Sequence, residues 1–171
     1  MNDTEVLIIN GSPGSGKSTL ANAIAEKLRE MELAHAVIDV DELARTYPEL
    51  SSSFRWKNLS LVWPNYSSLQ NLKVILPVLI DTKEDLQALQ DATTPCAKFT
   101  ICELVASDSI LKERVTKREP NEYWQNKLRG LVDNYSSRDA QNKFGDFQVR
   151  TDNKSIDEAA TEALQSLGWV K

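Results

Sequence analysis

The sequence has one histidine, two cysteines and no apolar run longer than the seven residues 74–80, which include a proline. A membrane span needs about 20 apolar residues, so this run is too short to cross a bilayer. Residues 1–5 are acidic and lead straight into a strand-like segment, which argues against a signal peptide. The cysteines, Cys96 and Cys102, lack metal-ligand spacing and are expected to be reduced, buried thiols of a cytoplasmic protein. With His35 the sole imidazole, there is no histidine-based triad or zinc cluster to argue for. Positive charge is also scarce: 20 Lys and Arg against 25 Asp and Glu leave a net charge of −5. That weakens a broad nucleic-acid-binding role, in which a positive field supplies most of the affinity. What basic character exists is concentrated at Lys112, Arg114, Lys117, Arg118, Lys127 and Arg129, so an anion-handling surface is expected there.

The 171 residues suffice for one domain with a proper core, and no repeat, linker or low-complexity segment divides them. Residues 6–9 read as a buried strand, followed by a helix with Leu20, Ile24, Leu28 and Met31 at helical spacing. Residues 36–40 read as a second strand ending in acids. Residues 54–71 read as a helix broken at Pro64, and 73–80 as a third strand whose regular part ends near Leu76 because Pro77 has no N–H to donate. Asp81 or Thr82 then caps a helix. Residues 98–105 form a fourth strand, and Ser107 or Asp108 caps the helix carrying Ile110, Leu111 and Val115. Pro120 opens the next helix, 147–151 is a fifth strand, and Ser155 with Glu158 forms a capping box for a last helix that Gly168 stops. Strands alternating with helices predict an α/β domain with a mainly parallel sheet.

One motif carries chemistry. Gly11-Ser12-Pro13-Gly14-Ser15-Gly16-Lys17-Ser18 fits G-x-x-x-x-G-K-[ST] without a gap, and Thr19 follows. Glycines let the backbone curl so that successive N–H groups point at phosphate oxygens. The lysine reaches the β and γ phosphates, the serine hydroxyl ligates Mg²⁺, and the helix N-terminus adds its positive dipole end. The motif lies between an apolar strand and an amphipathic helix, as that mechanism requires. ATP and Mg²⁺ are the expected ligands.

At these residues the sequence resembles the small P-loop kinases, the adenylate, shikimate and gluconate kinase group with its antibiotic-phosphotransferase relatives. The resemblance implies a five-stranded, mainly parallel P-loop sandwich of strand order 2-3-1-4-5 over residues 1–171, with acceptor-side helices at about 42–72 and a lid at about 112–138. It also implies roles for two later segments. Asp39 and Asp41, read as two carboxylates on one face of the second strand, match the shikimate-kinase pattern. There Asp39 helps hold the magnesium water shell, and Asp41 anchors the acceptor hydroxyl or takes its proton. The segment 111–118 resembles the lid-entry helix, which carries two arginines four apart. The resemblance assigns Arg114 to the adenine and Arg118 to the γ-phosphate. The loop 151–154, with Asp152 and Lys154, occupies the place where this group lines its adenine pocket. The bland alternatives are an acidic helix start at Asp39–Asp41 and a solvated basic face at 111–118 paired with Glu113 and Glu119.

The sequence departs from the group where many relatives have an aspartate. Its third strand runs into Pro77, and the next acid is Asp81. Pro77 and the segment 111–118 both resemble the tunicamycin-resistance type. Thr82-Lys83-Glu84-Asp85 matches the guanine-reading [NT]-K-x-D pattern, but no glycine occurs between Gly16 and Gly130, so the D-x-x-G switch of a GTPase cannot follow the P-loop. Thr82–Asp85 therefore reads as an acid-rich helix start. Arg45, Tyr47, Phe54, Arg55, Trp56 and Lys57 fall in the acceptor lid, where aromatics plus cations suit a polar or sugar-like acceptor; Trp63 and Tyr66 suit core packing at least as well. The leading expectation is an ATP-dependent phosphotransferase acting on a hydroxyl of a small polar molecule. A nucleotide or polynucleotide 5′-kinase and an ATP-binding regulator with little turnover stay open. So do monomer and homodimer.

Overall fold

The alternation of Val6 and Ile8 with Leu7 and Ile9 makes a strand with two apolar faces, and such a strand is stable only between two layers. In the computed structural model, which describes residues 3–96, 98–138 and 143–170, this strand is β1 (Glu5–Gly11) at the centre of a five-stranded sheet. It is followed by α1 (Lys17–Glu30), β2 (His35–Val37), α2 (Ser53–Ser67), β3 (Lys73–Pro77) and α3 (Lys83–Ala92). Then come β4 (Lys98–Val105), α4 (Asp108–Arg118), α5 (Glu122–Ser136), β5 (Phe147–Arg150) and α6 (Ile156–Leu167). The strand order is β2-β3-β1-β4-β5, and every pairing is parallel.

Leu7 and Ile9 face Leu20, Ile24 and Leu28 of α1 and Ala160, Ala163 and Leu164 of α6. Val6 and Ile8 face Leu59 and Trp63 of α2 and Leu89 of α3. Burial of one such aliphatic side chain is worth roughly 1.5–3 kcal/mol, so β1 fixes both layers at once. Parallel order brings the carboxyl ends of β1, β3 and β4 to one edge of the molecule, where an open α/β sheet offers a ligand crevice. None of the described helices is long and apolar enough to cross a membrane.

Several local expectations need correction. Regular pairing of β2 covers His35–Val37 rather than 36–40, with only Ile38 and Val40 continuing to bond β3. Asp39 and Asp41 therefore do not share a strand face. The Asp39 carboxylate accepts hydrogen bonds from the Asp41 and Glu42 N–H groups at 3.2 and 3.4 Å, and a side chain that captures its own backbone turns the chain out of the strand. The helix α2 passes through Pro64 without breaking and ends at Ser67. Pro64 and Ser60, whose carbonyl loses its partner, both lie on the exposed side, where water substitutes for the missing bond. Pro120 does not open α5; Asn121 caps it, accepting from Tyr123 N–H at 2.8 Å. Ser107 holds the cap position of α4, but its side chain makes no capping bond.

Candidate functional site

The chain leaves β1 at Gly11 and curls into a loop closed by Ser15 N–H donating to Ser12 O at 3.1 Å. Gly14 (φ +80°) and Gly16 (φ +94°) occupy the left-handed region that other residues avoid. A Cβ at Gly14 would also come within 2.7 Å of the Leu111 carbonyl, so α4 is packed directly onto the loop. The hydroxyls of Ser12 and Ser15 are buried and lack a hydrogen-bond partner. Unpaired buried hydroxyls are costly unless a ligand meets them. A glycine-curled loop with orphaned donors at a helix N-terminus fits a phosphate chain.

Lys17 folds over this loop, its Nζ donating to Gly11 O at 2.9 Å and Ser12 O at 3.3 Å. Burial is the main cause that brings its pKa down to about 8; Arg118 lowers it further, while Asp41 and Asp39 oppose the shift. The ammonium is thus held where an anion would restore its ordinary basicity. Ser18 Oγ donates to Asp39 Oδ2 at 2.7 Å. This hydroxyl and carboxylate form a pair of hard oxygen donors suited to Mg²⁺, and Asp39 is held in place by the backbone N–H groups of Asp41 and Glu42.

Two clefts open beside the loop. The first, about 310 Å³, is lined by Gly14, Ser15, Gly16 and Thr19 of the loop and by Arg114, Arg118, Thr151 and Lys154. Arg114 ties three segments together: its Nη1 donates to Gly14 O at 3.3 Å and Thr151 Oγ1 at 3.1 Å, and its Nη2 to Thr151 O at 3.0 Å. Among the described residues, Arg118 pairs with the neighbouring Glu119, at 2.8 Å, and remains 59% exposed. Lys154 pairs with Glu162. Asp152 is not among the lining residues; it accepts from Ser107 N–H at 3.0 Å and Arg150 at 2.8 Å, bracing the β5–α6 loop from behind. Thr151 stands in the cleft instead.

The second cleft, about 670 Å³, lies on the other side, between Asp41, Arg55 and Trp56 and the start of α3, including Asp81, Glu84 and Asp85. Arg55 donates to Asp41 at 3.2 Å and to Asp85 at 3.4 Å, and its guanidinium lies 4.2 Å over the Trp56 ring. Asp85 also accepts from Trp56 Nε1 at 3.3 Å. About half of the Asp41 side chain meets solvent (48%), yet loss of hydration around its carboxyl raises its pKa above the usual aspartate value, while Lys17 and Arg55 pull it down. Asp41 lines the second cleft and interacts electrostatically with Lys17, which folds over the glycine-curled loop beside the first. Thr82 accepts from Asp85 N–H at 3.1 Å as the cap of α3, in keeping with a helix start and not a guanine-binding loop. Trp63 is a core residue, 1% exposed.

Sequence reading missed a buried polar cluster at the ends of β1 and β4. Glu103, paired in register with Asn10, accepts from Tyr135 OH at 2.6 Å and from Arg138 at 2.8 Å. Arg138 also donates to Ile80 O at 3.0 Å, and Asn10 accepts from Ile80 N–H at 2.9 Å. This ties the carboxyl end of α5 to the sheet edge beneath the loop. Its one signal was a lone carboxylate inside the apolar strand Ile101–Val105, since such a group is seldom buried unless paired. Asp85 was likewise read only as a helix-start acid.

The zeta toxin family model, described as "Zeta toxin", matches residues 3–85, which include the glycine-curled loop, Asp39, Asp41 and the lining of the second cleft as far as Asp85. No curated protein matches the sequence. Solved structures do. An APS kinase of Mycobacterium tuberculosis in complex with AMPPNP and APS is 22% identical, with 98% of this chain and 99% of that one covered and a TM-score of 0.71.

The chain has the fold of the small P-loop kinases.

The tunicamycin resistance protein of Deinococcus radiodurans superposes with a TM-score of 0.68 at 16% identity, covering 96% of both chains. A gluconokinase of Sinorhizobium meliloti gives 0.66 at 20% identity, over 96% of this chain and 92% of that one. The strand order β2-β3-β1-β4-β5 expected from the P-loop resemblance is the order observed.

Proposed function

We propose that this protein is an ATP-dependent phosphotransferase that moves the γ-phosphoryl group to a hydroxyl of a small polar molecule. The observation that carries this reading is a cleft built on phosphate-loop residues together with a second cleft, large enough for a separate acceptor, whose Asp41 interacts electrostatically with Lys17 of that loop. Clefts of about 300–1,000 Å³ are typical of small-molecule sites.

When bound, ATP supplies the phosphoryl group and Mg²⁺ offsets its charge. The chain's own residues do the rest. Gly11–Thr19 cradle the phosphates, Ser18 and Asp39 would hold Mg²⁺, and Thr151 and Lys154 shape the base side with Arg114. Asp41 orients the acceptor hydroxyl. The acceptor oxygen bonds to the γ-phosphorus as the bridging P–O bond breaks and leaves its electron pair on ADP, and Asp41 takes the hydroxyl proton. Lys17 leaves the Gly11 and Ser12 carbonyls for the phosphates, and Arg118 swings from Glu119 to the charge that develops on the transferred group.

The assay is ATP consumption with and without a panel of hydroxyl acceptors. Acceptor-dependent ADP formation that disappears in Lys17→Ala supports the reading; unchanged turnover in Lys17→Ala would sink it. One observation favours an ATP-binding regulator as second reading: β3 ends at Leu76–Pro77 with no acid there. That reading expects tight ATP binding and no acceptor-dependent turnover. A polynucleotide 5′-kinase is disfavoured by a pI of about 5.0 and by the acidic acceptor cleft.

A further inference from the structure

The polar cluster at the ends of β1 and β4 does more than the core beneath it needs. Asn10 and Glu103 continue the sheet face whose earlier positions are Val6, Ile8 and Ile101, and both are buried. Apolar side chains would fill this place without desolvating a charge, and a buried ion pair often gives no more stability than they would. What apolar residues lack is direction. Arg138 turns each nitrogen to a different atom: Nη2 to Glu103 Oε1 at 2.8 Å, Nη1 to Ile80 O at 3.0 Å and Nε to Tyr135 O at 3.2 Å. Its guanidinium carbon lies 3.4 Å from the Tyr135 ring centre. Glu103 Oε1 also accepts from Tyr135 OH at 2.6 Å, and its Oε2 from Asn10 Nδ2 at 3.5 Å. Gly145 closes over this carboxylate: a Cβ there would lie 2.7 Å from Glu103 Cβ.

The cluster converges on one peptide. Ile80 N–H donates to Asn10 Oδ1 at 2.9 Å, and Ile80 O accepts from Arg138, so side chains from β1 and from the end of α5 hold both of its hydrogen-bonding groups. The sheet holds the chain as far as Val78, whose N–H donates to Ile9 O at 3.0 Å; at Ile80 the side chains take over. The neighbours Leu79, Asp81 and Thr82 line the second cleft. Thr82 caps α3, whose Asp85 accepts from Arg55 and Trp56 of the opposite wall, and Arg55 bonds Asp41. Asn10 also directly precedes Gly11, where the phosphate loop begins. One strand end thus sets loop and cleft wall in the same frame. Group transfer depends on such placement, because a misplacement of about 1 Å can cost roughly a hundredfold in rate. We propose that Asn10, Glu103 and Arg138 are positioning residues that fix the Ile80 peptide and thereby hold the wall of the second cleft in register with the phosphate loop. The clamp stands on this geometry; that the wall faces an acceptor rests on the phosphotransferase reading.

The test separates direction from bulk. Glu103→Leu, Tyr135→Phe and Arg138→Met together replace the buried ion pair by apolar groups of similar size. The triple variant should therefore fold with a melting temperature close to that of the parent while losing the hold on Ile80 O. Asn10→Ala removes the acceptor of Ile80 N–H by an independent route. One net hydrogen bond corresponds to roughly fivefold in an opening equilibrium, so hydrogen exchange over residues 78–82 should quicken by about that factor or more in both variants, with α6 unchanged. The NMR signal of the Trp56 indole N–H, which reads its bond to Asp85, should shift in both, while that of Trp169, bonded to Glu5, stays. The triple variant should bind AMPPNP with Mg²⁺ as the parent does, and its kcat toward a hydroxyl acceptor should fall roughly tenfold or more. Unchanged exchange over 78–82 with an unmoved Trp56 signal in Asn10→Ala, equal quickening over α6, or a triple variant that fails to fold would overturn the proposal. So would a normal kcat with the clamp lost. A clamp that responds as described, in a protein that transfers phosphate to none of the acceptors, would count against the phosphotransferase reading alone.

Discussion

Lys17 makes the site sensitive to pH in a direction that can be worked out. Its pKa in the nucleotide-free protein is about 8, depressed mainly by burial from the ordinary 10.5. The protonated fraction is then about 0.9 at pH 7, about 0.5 at pH 8 and about 0.1 at pH 9. Phosphates beside the ammonium favour its charged form, so the nucleotide complex keeps the proton. ATP affinity should therefore fall roughly tenfold between pH 7 and pH 9, and binding should take up about half a proton at pH 8. The thiols do not confuse this window, because burial pushes Cys96 up and Cys102 up to about 12. Calorimetry in two buffers of different ionisation enthalpy counts the protons. Lys17→Arg carries a charge that does not titrate here and should abolish the uptake. Flat affinity from pH 7 to 9 with no proton uptake would refute the argument that the loop desolvates this lysine. Stability has the opposite sign. The unfolded chain binds the Lys17 proton more tightly, so this lysine's penalty is full below about pH 8 and is relieved as pH rises from there toward 10.5.

The remaining predictions concern single side chains. Asp41→Asn should lower turnover more than ATP affinity, whereas Asp39→Asn, which disturbs the bond from Ser18, should raise the magnesium needed; identical behaviour of the two would contradict the division of roles. Arg118→Ala should cost turnover by roughly 10²–10³ as a lost transition-state contact, and hydrogen exchange over residues 114–135 should slow when ATP·Mg²⁺ binds; near-normal turnover with unchanged exchange returns α4 to a solvated basic face. Arg114→Ala should raise the ATP concentration required, because it unties Gly14 from Thr151. Glu103→Ala leaves Arg138 and Tyr135 buried without their acceptor and should cost about 3–5 kcal/mol in denaturant unfolding; a loss below about 1 kcal/mol would show that the cluster is not a structural tie.

Local signals were legible from sequence where physics is local. The apolar run of β1, the glycines at 14 and 16, a cap at Asp81 or Thr82 (the structure uses Thr82) and the Ser155–Glu158 capping box each depend on residues a few positions apart, and each agrees with the structure. Pro64 and Asp39 misled because the outcome depended on exposure and on a side chain capturing its own backbone, neither of which residue type alone decides. The second cleft shows the same limit. Arg55 was visible as a cation near aromatics, but its partners Asp41 and Asp85 lie 14 and 30 residues away.

By itself, then, the sequence determined the phosphate loop and the alternation of strands and helices, because backbone curvature and amphipathic periodicity are written in consecutive residues. Only the tertiary structure decided what surrounds that loop. The parallel order around β1 brings Asn10 against Glu103, Arg114 onto Gly14 and Asp41 opposite Asp85. These contacts join segments far apart in the chain, and their strength depends on burial and on the charges that packing brings together.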